Sequence, residues 1–380
     1  MSDVLIVGGG VIGLSLAYEL AGHGAQVRVI DAGQPGREAS WAGAGILPPA
    51  APIDGDPLAQ LTALSNTLHR DWAQTLRATT GIDNGYRRCG AIYLEREAQA
   101  AARLQGFARL ALSHDIACER LAANELCDRE PSLRPQGDVC AAYLVPGECQ
   151  IRNPRHLQAL LFGCARRGVE ITAGAAAEEF TIRGERIESV QTCVGTLLAD
   201  RVCITSGSWT GPLVRRLGVA PAIKPIRGQM VLFRTTQPIL SRIVNEGSRY
   251  LVPRDDGRLL AGSTEEDVGY DRSTTAGAIA GLIEFAIGRV PELAQAAVER
   301  TWAGLRPATA DGLPYIGCVP GLENAFVAAG HFRGGLQLST GTAVVMSQLL
   351  QGLDPDVELS AFALDRPATD ALPRRAARSH

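Results

Sequence analysis

Residues 3–13 read DVLIVGGGVIG, and this stretch decides the fold. Its first five residues form a short, largely apolar run, and glycines follow at 8, 10 and 13 with the G-x-G-x-x-G spacing. The pattern predicts a helix over Leu14–His23 and a second strand over Val27–Asp31. A strand, a glycine turn, a helix and a strand that ends in an acid are typical of a dinucleotide-binding βαβ unit.

Each residue of this motif has a physical role in the predicted unit. Gly8 allows the tight turn, Gly10 lets the backbone approach a pyrophosphate, and Gly13 lets the helix pack close to the strand. The helix N-terminus offers N–H groups and a positive dipole end to the phosphates. Asp31 is placed to accept hydrogen bonds from a ribose hydroxyl, which disfavours NADP. The motif alone leaves both FAD and NAD open.

Composition excludes several other classes of protein. The 380 residues suffice for two domains, and the net charge of −3 carries no basic excess that would indicate nucleic acid. No apolar run approaches the length of a transmembrane helix, so we expect no membrane partner. The nine cysteines show no C-x-x-C spacing and the six histidines form no cluster. We therefore expect reduced thiols, a cytoplasmic protein and no metal.

The remaining pattern alternates helices and strands. Residues 32–47 are expected to form a loop of small residues, and residues 127–135 a turn region. A strand is expected over 198–205, and the glycine at 207 after it would allow the close approach of a ligand. Further strands are expected over 85–95, 141–145, 169–171 and 325–329, with a hairpin over 178–193. Helices are predicted over 56–80, 97–114, 153–167, 276–289 and 339–350.

Three later segments carry a resemblance to a known family. Residues 39–47 read ASWAGAGIL, residues 302–307 read WAGLRP, and residues 330–333 read GHFR. Together with the glycine motif they make the chain resemble, from Asp3 to about Leu364, the D-amino acid oxidase family of FAD-dependent oxidoreductases. Within that family the chain is most similar to the group that oxidises glycine for thiamine biosynthesis.

The resemblance implies an α/β fold with two domains. One is a discontinuous, Rossmann-like FAD-binding domain of the glutathione-reductase type, and the other is a smaller α+β substrate domain whose sheet covers the flavin. FAD is expected to be bound non-covalently, because Cys318 lacks the surrounding pattern of relatives that tether it. The FAD domain would comprise 1–85, 148–220 and 301–366, the substrate domain 86–147 and 221–300, and a loose tail 367–380.

The resemblance also implies the site residues. Substrate contacts are expected from Arg306, Tyr250 and Arg333, and no protein side chain is expected to act as a catalytic acid or base. Cofactor contacts are expected from Gly8, Gly10, Val11, Ile12, Gly13, Asp31, Ala32, Ala39, Ser40, Ala44, Gly45, Ile46, Ala176, Gly207, His331, Phe332, Arg333, Gly334, Gly335, Leu336 and Gln337.

These residue types suit the oxidation of an amino acid. A guanidinium holds a carboxylate through two parallel, charge-assisted hydrogen bonds, and a tyrosine hydroxyl adds a third contact. Arg306 is expected in a rigid Gly-Leu-Arg-Pro turn. Hydride transfer to a flavin needs position and electrostatics from the protein, and no proton transfer by a side chain if the amine arrives neutral.

The implied reaction is the oxidative deamination of glycine or another small amine, with O₂ as the electron acceptor. Its products are hydrogen peroxide and an imine, which hydrolyses to glyoxylate and ammonia or supplies the thiazole of thiamine. Members of the family are homotetramers. Three alternatives stay open: a sarcosine or D-amino acid oxidase, a dehydrogenase that reduces a membrane quinone, and a flavin-binding protein without turnover.

Overall fold

A computed structural model describes residues 2–134 and 139–366 of the chain. The expected tail over 367–380 and Pro135 of the expected turn lie outside these ranges. The strands are β1 Ser2–Val7, β2 Val27–Ile30, β3 Ile46–Leu47, β4 Arg87–Arg88, β5 Ala91–Glu95, β6 Glu119–Arg120, β7 Ala141–Val145, β8 Cys149–Gln150, β9 Glu170–Thr172, β10 Ala177–Arg183, β11 Arg186–Thr192, β12 Gly195–Leu197, β13 Ala199–Ile204, β14 Ile223–Arg234, β15 Ile243–Glu246, β16 Arg249–Pro253, β17 Arg258–Gly262, β18 Ala297–Thr309, β19 Tyr315–Cys318 and β20 Ala325–Ala329.

Helices alternate with these strands along the chain. Short 3₁₀ turns occur at Gly207–Trp209, Pro291–Gln295, Phe332–Gly334 and Ser360–Phe362. The α-helices are α1 Val11–Gly22, α2 Glu38–Ala42, α3 Pro57–Thr80, α4 Ala98–Ser113, α5 Ala123–Arg129, α6 Asn153–Arg166, α7 Thr210–Arg215, α8 Ala276–Arg289 and α9 Ser339–Leu350.

A six-stranded sheet forms the base of the molecule. Its strand order is β19-β20-β13-β1-β2-β9, with β1 parallel to both of its neighbours. Strand β1 is buried on both faces over its last four residues, which explains its unbroken apolar sequence. Because the chain leaves β1 toward β2 on one side and joins β13 on the other, a crevice opens at the carboxyl ends of these strands.

An eight-stranded sheet lies over this crevice. Its order is β18-β14-β17-β16-β15-β5-β7-β6, and α8 packs on the face that carries Val231, Phe233 and Leu251. The longest pairing joins β14 to β18 in antiparallel register from Ile223↔Thr309 to Arg234↔Ala297. The domain boundary expected at 300/301 falls within β18, whose whole length pairs with β14.

The first helix packs against the first strand without room for a side chain at Gly13. A Cβ built on Gly13 would lie 2.0 Å from the Gly8 carbonyl oxygen and 2.6 Å from Thr205 Oγ1. Gly8 itself has a φ of +118°, which favours glycine. The predicted roles of Gly8 in the turn and Gly13 in packing are therefore those that the fold requires.

Most element boundaries agree closely with the sequence-based expectations, although helix α1 begins at Val11, three residues before its predicted start at Leu14. The strands over 141–145 and 325–329 and the helices over 276–289 and 339–350 have the predicted bounds. The strand expected over 85–95 is interrupted, because Gly90 turns with a φ of +71° and donates its N–H to the Glu148 carbonyl. The expected loop over 32–47 contains α2 and β3, and helix α5 extends into the expected turn at 127–135 as far as Arg129. Short elements like these are set by tertiary contacts rather than by periodicity.

Replacing Gly13 with Ala is expected to destabilise the fold by about 3 kcal/mol or more, because the Gly8 carbonyl oxygen belongs to the backbone between β1 and α1 and cannot move aside as a side chain could. Gly106→Ala in α4 is the matched control, since no atom lies within 4 Å of a Cβ there. The control is expected to gain about 0.5–1 kcal/mol from helix propensity. Urea unfolding of both variants measures the difference, and equal midpoints would contradict the packing argument.

A buried carboxyl lies beside the eight-stranded sheet. Tyr93 Oη donates to Glu148 Oε2 at 2.7 Å, and burial raises the pKa of Glu148 from 4.5 to about 8. Glu148 is therefore protonated in the native protein at neutral pH, whereas it ionises near pH 4.5 when the chain unfolds. The native state then binds more protons than the unfolded state between these pH values, so its stability falls as pH rises through this window.

Glu148→Gln is expected to remove this fall, because an amide does not titrate and its oxygen still accepts from Tyr93. Relative to wild type, the variant should gain a few kcal/mol in the free energy of unfolding between pH 5 and 8. Denaturant titrations at several pH values measure the gain. The buried histidines titrate in both proteins and cancel in the comparison, so parallel pH profiles would show that Glu148 is ionised in the fold.

Candidate functional site

The crevice between the two sheets is a cleft of about 770 Å³. Most of the residues predicted to bind cofactor or substrate line it. Gly13, Gly334 and Gln337 do not line it: Gly13 packs beneath the turn, Gly334 packs near Leu338, and Gln337 Nε2 donates to the Pro48 carbonyl at 2.7 Å. The predicted residues that line the cleft are Gly8, Gly10, Val11, Ile12, Asp31, Ala32, Ala39, Ser40, Ala44, Gly45, Ile46, Ala176, Gly207, Tyr250, Arg306, His331, Phe332, Arg333, Gly335 and Leu336.

The glycine turn and Asp31 form one hydrogen-bonded unit. Asp31 Oδ2 accepts the Gly9 N–H and Asp31 Oδ1 accepts the Gly33 N–H, both at 2.8 Å. A Cβ on Gly10 would meet only Ser40 Oγ within 4 Å, at 3.1 Å, so space remains open above the turn. The first turn of α1 carries no acidic residue. This is a cradle suited to an anionic group at a helix N-terminus.

The small-residue segment after Gly33 is held against the turn by polar contacts. The Val11 N–H donates to Ser40 Oγ at 2.9 Å, and Asn153 Nδ2 donates to the Ser40 carbonyl at 2.7 Å. Further along, Arg254 is buried and donates to the Ala44 carbonyl at 2.6 Å. Burial lowers the pKa of Arg254 to about 9. These contacts fix the backbone that lines the middle of the cleft.

A third segment, residues 330–337, follows β20. His69, on α3, donates from Nε2 to the carbonyls of Leu336 and Gln337, at 3.0 and 2.9 Å. Burial lowers the pKa of His69 to about 4 and that of His331 to about 3, so both rings are neutral at physiological pH. His331 Nε2 lies 3.2 Å from Thr342 Oγ1. His331 therefore serves as a neutral hydrogen-bonding residue of this segment.

Arg306 lies on strand β18, so its expected position in a turn is wrong. Its guanidinium lies against Gly228 of the paired strand, where a Cβ would come within 2.1 Å of Nη1. Nη2 donates to Ser263 Oγ at 2.8 Å and Nη1 to the Thr264 carbonyl at 3.2 Å. Burial lowers the pKa of Arg306, and the nearby Tyr250 opposes that shift. The paired strand and the glycine opposite hold the Arg306 side chain in place, which is the rigidity that the sequence analysis expected from a turn.

The other two predicted substrate residues lie beside Arg306. Tyr250 is buried on β16, with its hydroxyl 3.5 Å from Met230 Sδ. Arg333 donates from Nη2 to Glu265. Its positive charge lies close enough to Arg306 to lower the pKa of that guanidinium further. The structure therefore brings all three residues together where the eight-stranded sheet borders the cleft.

The charge of the cleft is predominantly positive. Among the described residues that line it, only Asp31 and Glu38 are acidic, and Asp31 is engaged by two backbone N–H groups. Four arginines line it: Arg37, Arg272, Arg306 and Arg333. Such a cleft favours a ligand with phosphate or carboxylate groups.

Comparison with known proteins identifies the family. The family model of FAD-dependent oxidoreductases known as DAO matches residues 3–349.

The chain belongs to the D-amino acid oxidase (DAO) family of FAD-dependent oxidoreductases.

Individual relatives agree with this assignment over nearly the whole chain. The glycine oxidase of Pseudomonas putida is 37% identical over 365 residues, 95% of this chain and 98% of that protein. The bifunctional ThiO/ThiG protein of Trichormus variabilis is 29% identical over 96% of this chain, which spans 55% of that protein. The crystal structure of glycine oxidase from Geobacillus kaustophilus superposes with a TM-score of 0.91 at 32% identity, covering 96% of this chain and 98% of that one.

The predictions of family, α/β fold, enzyme class and FAD as cofactor are thereby confirmed. The residues present fit the cofactor of the DAO family. The open cradle at Gly10 suits the pyrophosphate, Asp31 retains lone pairs for a ribose, and the long cleft continues between the segments 42–46 and 331–336. The roles of individual residues toward FAD stay predictions. Within residues 2–134 and 139–366, no helix is long and apolar enough to cross a bilayer.

Several supporting residues of this DAO-family site were not found from the sequence. His69 lies 267 residues from Leu336, and Arg254 lies 210 residues from Ala44. Asn153 begins α6, which the sequence did predict, but nothing in its local pattern indicates a contact with Ser40. Gly228, in a Pro-Ile-Arg-Gly-Gln run rich in strand formers, offered a weak signal, because an interior strand glycine often marks a close approach.

Gly10→Val is expected to abolish FAD binding, because the side chain would occupy the open cradle above the turn. The backbone at Gly10, with φ −75° and ψ −175°, accepts valine, so the chain should fold. The visible absorbance of the purified protein measures the loss, and far-UV circular dichroism checks the fold. Gly277→Val on α8, with no atom within 4 Å of its Cβ, is the control and should stay yellow. A fully yellow Gly10→Val protein would place the pyrophosphate elsewhere.

Proposed function

We propose that this DAO-family enzyme oxidises glycine with O₂. Glycine gives an imine that hydrolyses to glyoxylate and ammonia, while O₂ gains two electrons and two protons to become H₂O₂. The imine, before hydrolysis, supplies thiazole formation in thiamine biosynthesis. Support comes from the glycine oxidases among the relatives and from a ThiO/ThiG protein in which the matching part is joined to ThiG.

The observation that carries the proposal is the immobilised guanidinium of Arg306 on the cleft side of the eight-stranded sheet. Its planar fork is held by Ser263 and Thr264 and backed by Gly228, so it is oriented before a substrate arrives. A substrate carboxylate would bind this fork, and the Tyr250 hydroxyl would supply a further hydrogen bond. The protein orients the substrate Cα–H toward the cofactor through these contacts.

The bound flavin supplies the chemistry of hydride acceptance. The chain contributes binding, orientation and the exclusion of water. His331 lies in the 330–337 segment, and His69 supports that segment. Burial lowers the pKa of His331 to about 3 and that of His69 to about 4, so both rings are neutral and only weakly basic. This agrees with a reaction in which no side chain acts as a catalytic acid or base.

We further propose a cytoplasmic homotetramer. All nine cysteines are free thiols, as in a reducing compartment, and the tetramer follows from the family resemblance. Light scattering of the holoenzyme tests the subunit number.

An anaerobic titration tests the proposed function. The yellow holoenzyme should be bleached by glycine without oxygen, and faster than by sarcosine or D-alanine. Readmitted O₂ should restore the yellow form with one H₂O₂ formed per turnover. Faster bleaching by sarcosine or D-alanine would indicate a different oxidase of the DAO family. Bleaching with slow reoxidation by O₂ would indicate a dehydrogenase, and a spectrum that none of the three bleaches would indicate a flavin-binding protein without turnover.

Arg306→Ala is expected to raise the KM for glycine about a hundredfold or more while FAD remains bound, because it removes the paired hydrogen bonds to the carboxylate. Arg306→Lys keeps the charge without the planar fork and should fall between wild type and Ala. Arg258→Ala on β17, where the arginine pairs with Asp256 and Glu299, is the control. Steady-state kinetics measure the effect, and an unchanged KM in Arg306→Ala would remove Arg306 from the site.

A further inference from the structure

One short segment positions both arginines of the substrate site. Residues Ser263, Thr264 and Glu265 follow β17 directly. The first two accept hydrogen bonds from Arg306, and the Glu265 carboxylate accepts from Arg333 Nη2. The segment is itself anchored, because the Gln229 N–H donates to Thr264 Oγ1 at 2.9 Å. The two guanidiniums and the carboxylate thus form one cluster with a net charge of +1.

The two arginines have different partners. Arg306 donates to the neutral oxygens of Ser263 and Thr264, and the Tyr250 hydroxyl also interacts with it. Arg333 is paired with the carboxylate of Glu265. The Glu265 side chain is 49% exposed, and the Arg333 side chain is 18% exposed. Glu265 does not itself line the cleft, but it pairs with Arg333, which does. A second carboxylate of a bound substrate that reached Arg333 would therefore meet Glu265.

We propose that Glu265 is a specificity-determining residue that restricts the site to amines with a single carboxylate. The inference rests on the proposed function and extends it. One substrate carboxylate bound at Arg306 matches the net charge of the cluster. A second carboxylate would have to lie beside Glu265 or displace it from Arg333, and like charges brought together disfavour the wrong ligand.

A purely structural role would give a different result. If Glu265 only held Arg333 in place, its loss would weaken all substrates alike. If it excludes a second carboxylate, its loss would favour dianionic substrates selectively. The informative quantity is therefore a ratio between two ligands that differ by one carboxylate.

The first experiment compares iminodiacetate with sarcosine, since both are secondary amines built on a glycine unit and only iminodiacetate carries a second carboxylate. In Glu265→Gln, the ratio of kcat/KM for iminodiacetate to that for sarcosine should rise about tenfold or more over wild type, a change of about 1.4 kcal/mol. Asp267→Asn is the matched control: Asp267 follows Glu265 in the same loop and pairs with Lys224 of β14, and its replacement changes the net charge equally. An unchanged ratio in Glu265→Gln, or an equal rise in Asp267→Asn, would overturn the proposal.

A binding experiment makes the test independent of turnover. Acetate and malonate, which carry one and two carboxylates, are titrated into each holoenzyme while the flavin absorbance is recorded. The ratio of the acetate Kd to the malonate Kd should rise about tenfold in Glu265→Gln alone. Equal ratios in wild type and variant would overturn the role of Glu265. If glycine were not oxidised but the ratio rose, the proposed function would fail while the inference stood.

Discussion

The contact between Gly13 and the Gly8 carbonyl is the constraint on which the rest of the structure depends. Helix α1 can start at the carboxyl end of the central strand only because Gly13 has no side chain, since a Cβ there would lie 2.0 Å from the Gly8 carbonyl oxygen. That position points the helix N-terminus into the crevice where the order of the six-stranded sheet reverses. Asp31 then ties the turn to the end of β2. The part of the cleft suited to a pyrophosphate and a ribose follows from this packing.

The part of the cleft proposed to bind substrate depends on a pair of strands. Strand β18 crosses above the cleft in register with β14, and the glycines at 228 and 304 face each other across the pair. Each glycine admits a different neighbour: the Arg306 guanidinium lies over Gly228, and Ala42 of α2 packs against Gly304, where a Cβ would lie 2.5 Å away. One strand pair therefore joins Arg306 to the backbone that borders the middle of the cleft.

The sequence predicted those parts of the fold and site that are encoded locally. The glycine spacing, Asp31 and the long helices are periodic or motif-based, and the structure places them as predicted. Arg306 lines the cleft, and its role toward substrate stays a prediction, but its predicted element was wrong, because Gly-Leu-Arg-Pro resembles a turn until a partner strand pairs with it. His69, Asn153 and Arg254 were missed because each acts through a backbone carbonyl far away in the sequence. Short helix α2 was missed because few residues carry its signal.

The lining of the cleft comes from segments spread between Val7 and Leu336, and only the native chain assembles them. A ligand that fills the cleft consequently binds the folded state and not the unfolded one. Folding and cofactor supply are therefore thermodynamically linked: free FAD at a hundred times its Kd adds about 2.7 kcal/mol to the free energy of unfolding. The abundance of intact protein in a cell thus depends on its flavin supply as well as on its sequence, and protein made during riboflavin shortage is more exposed to proteolysis.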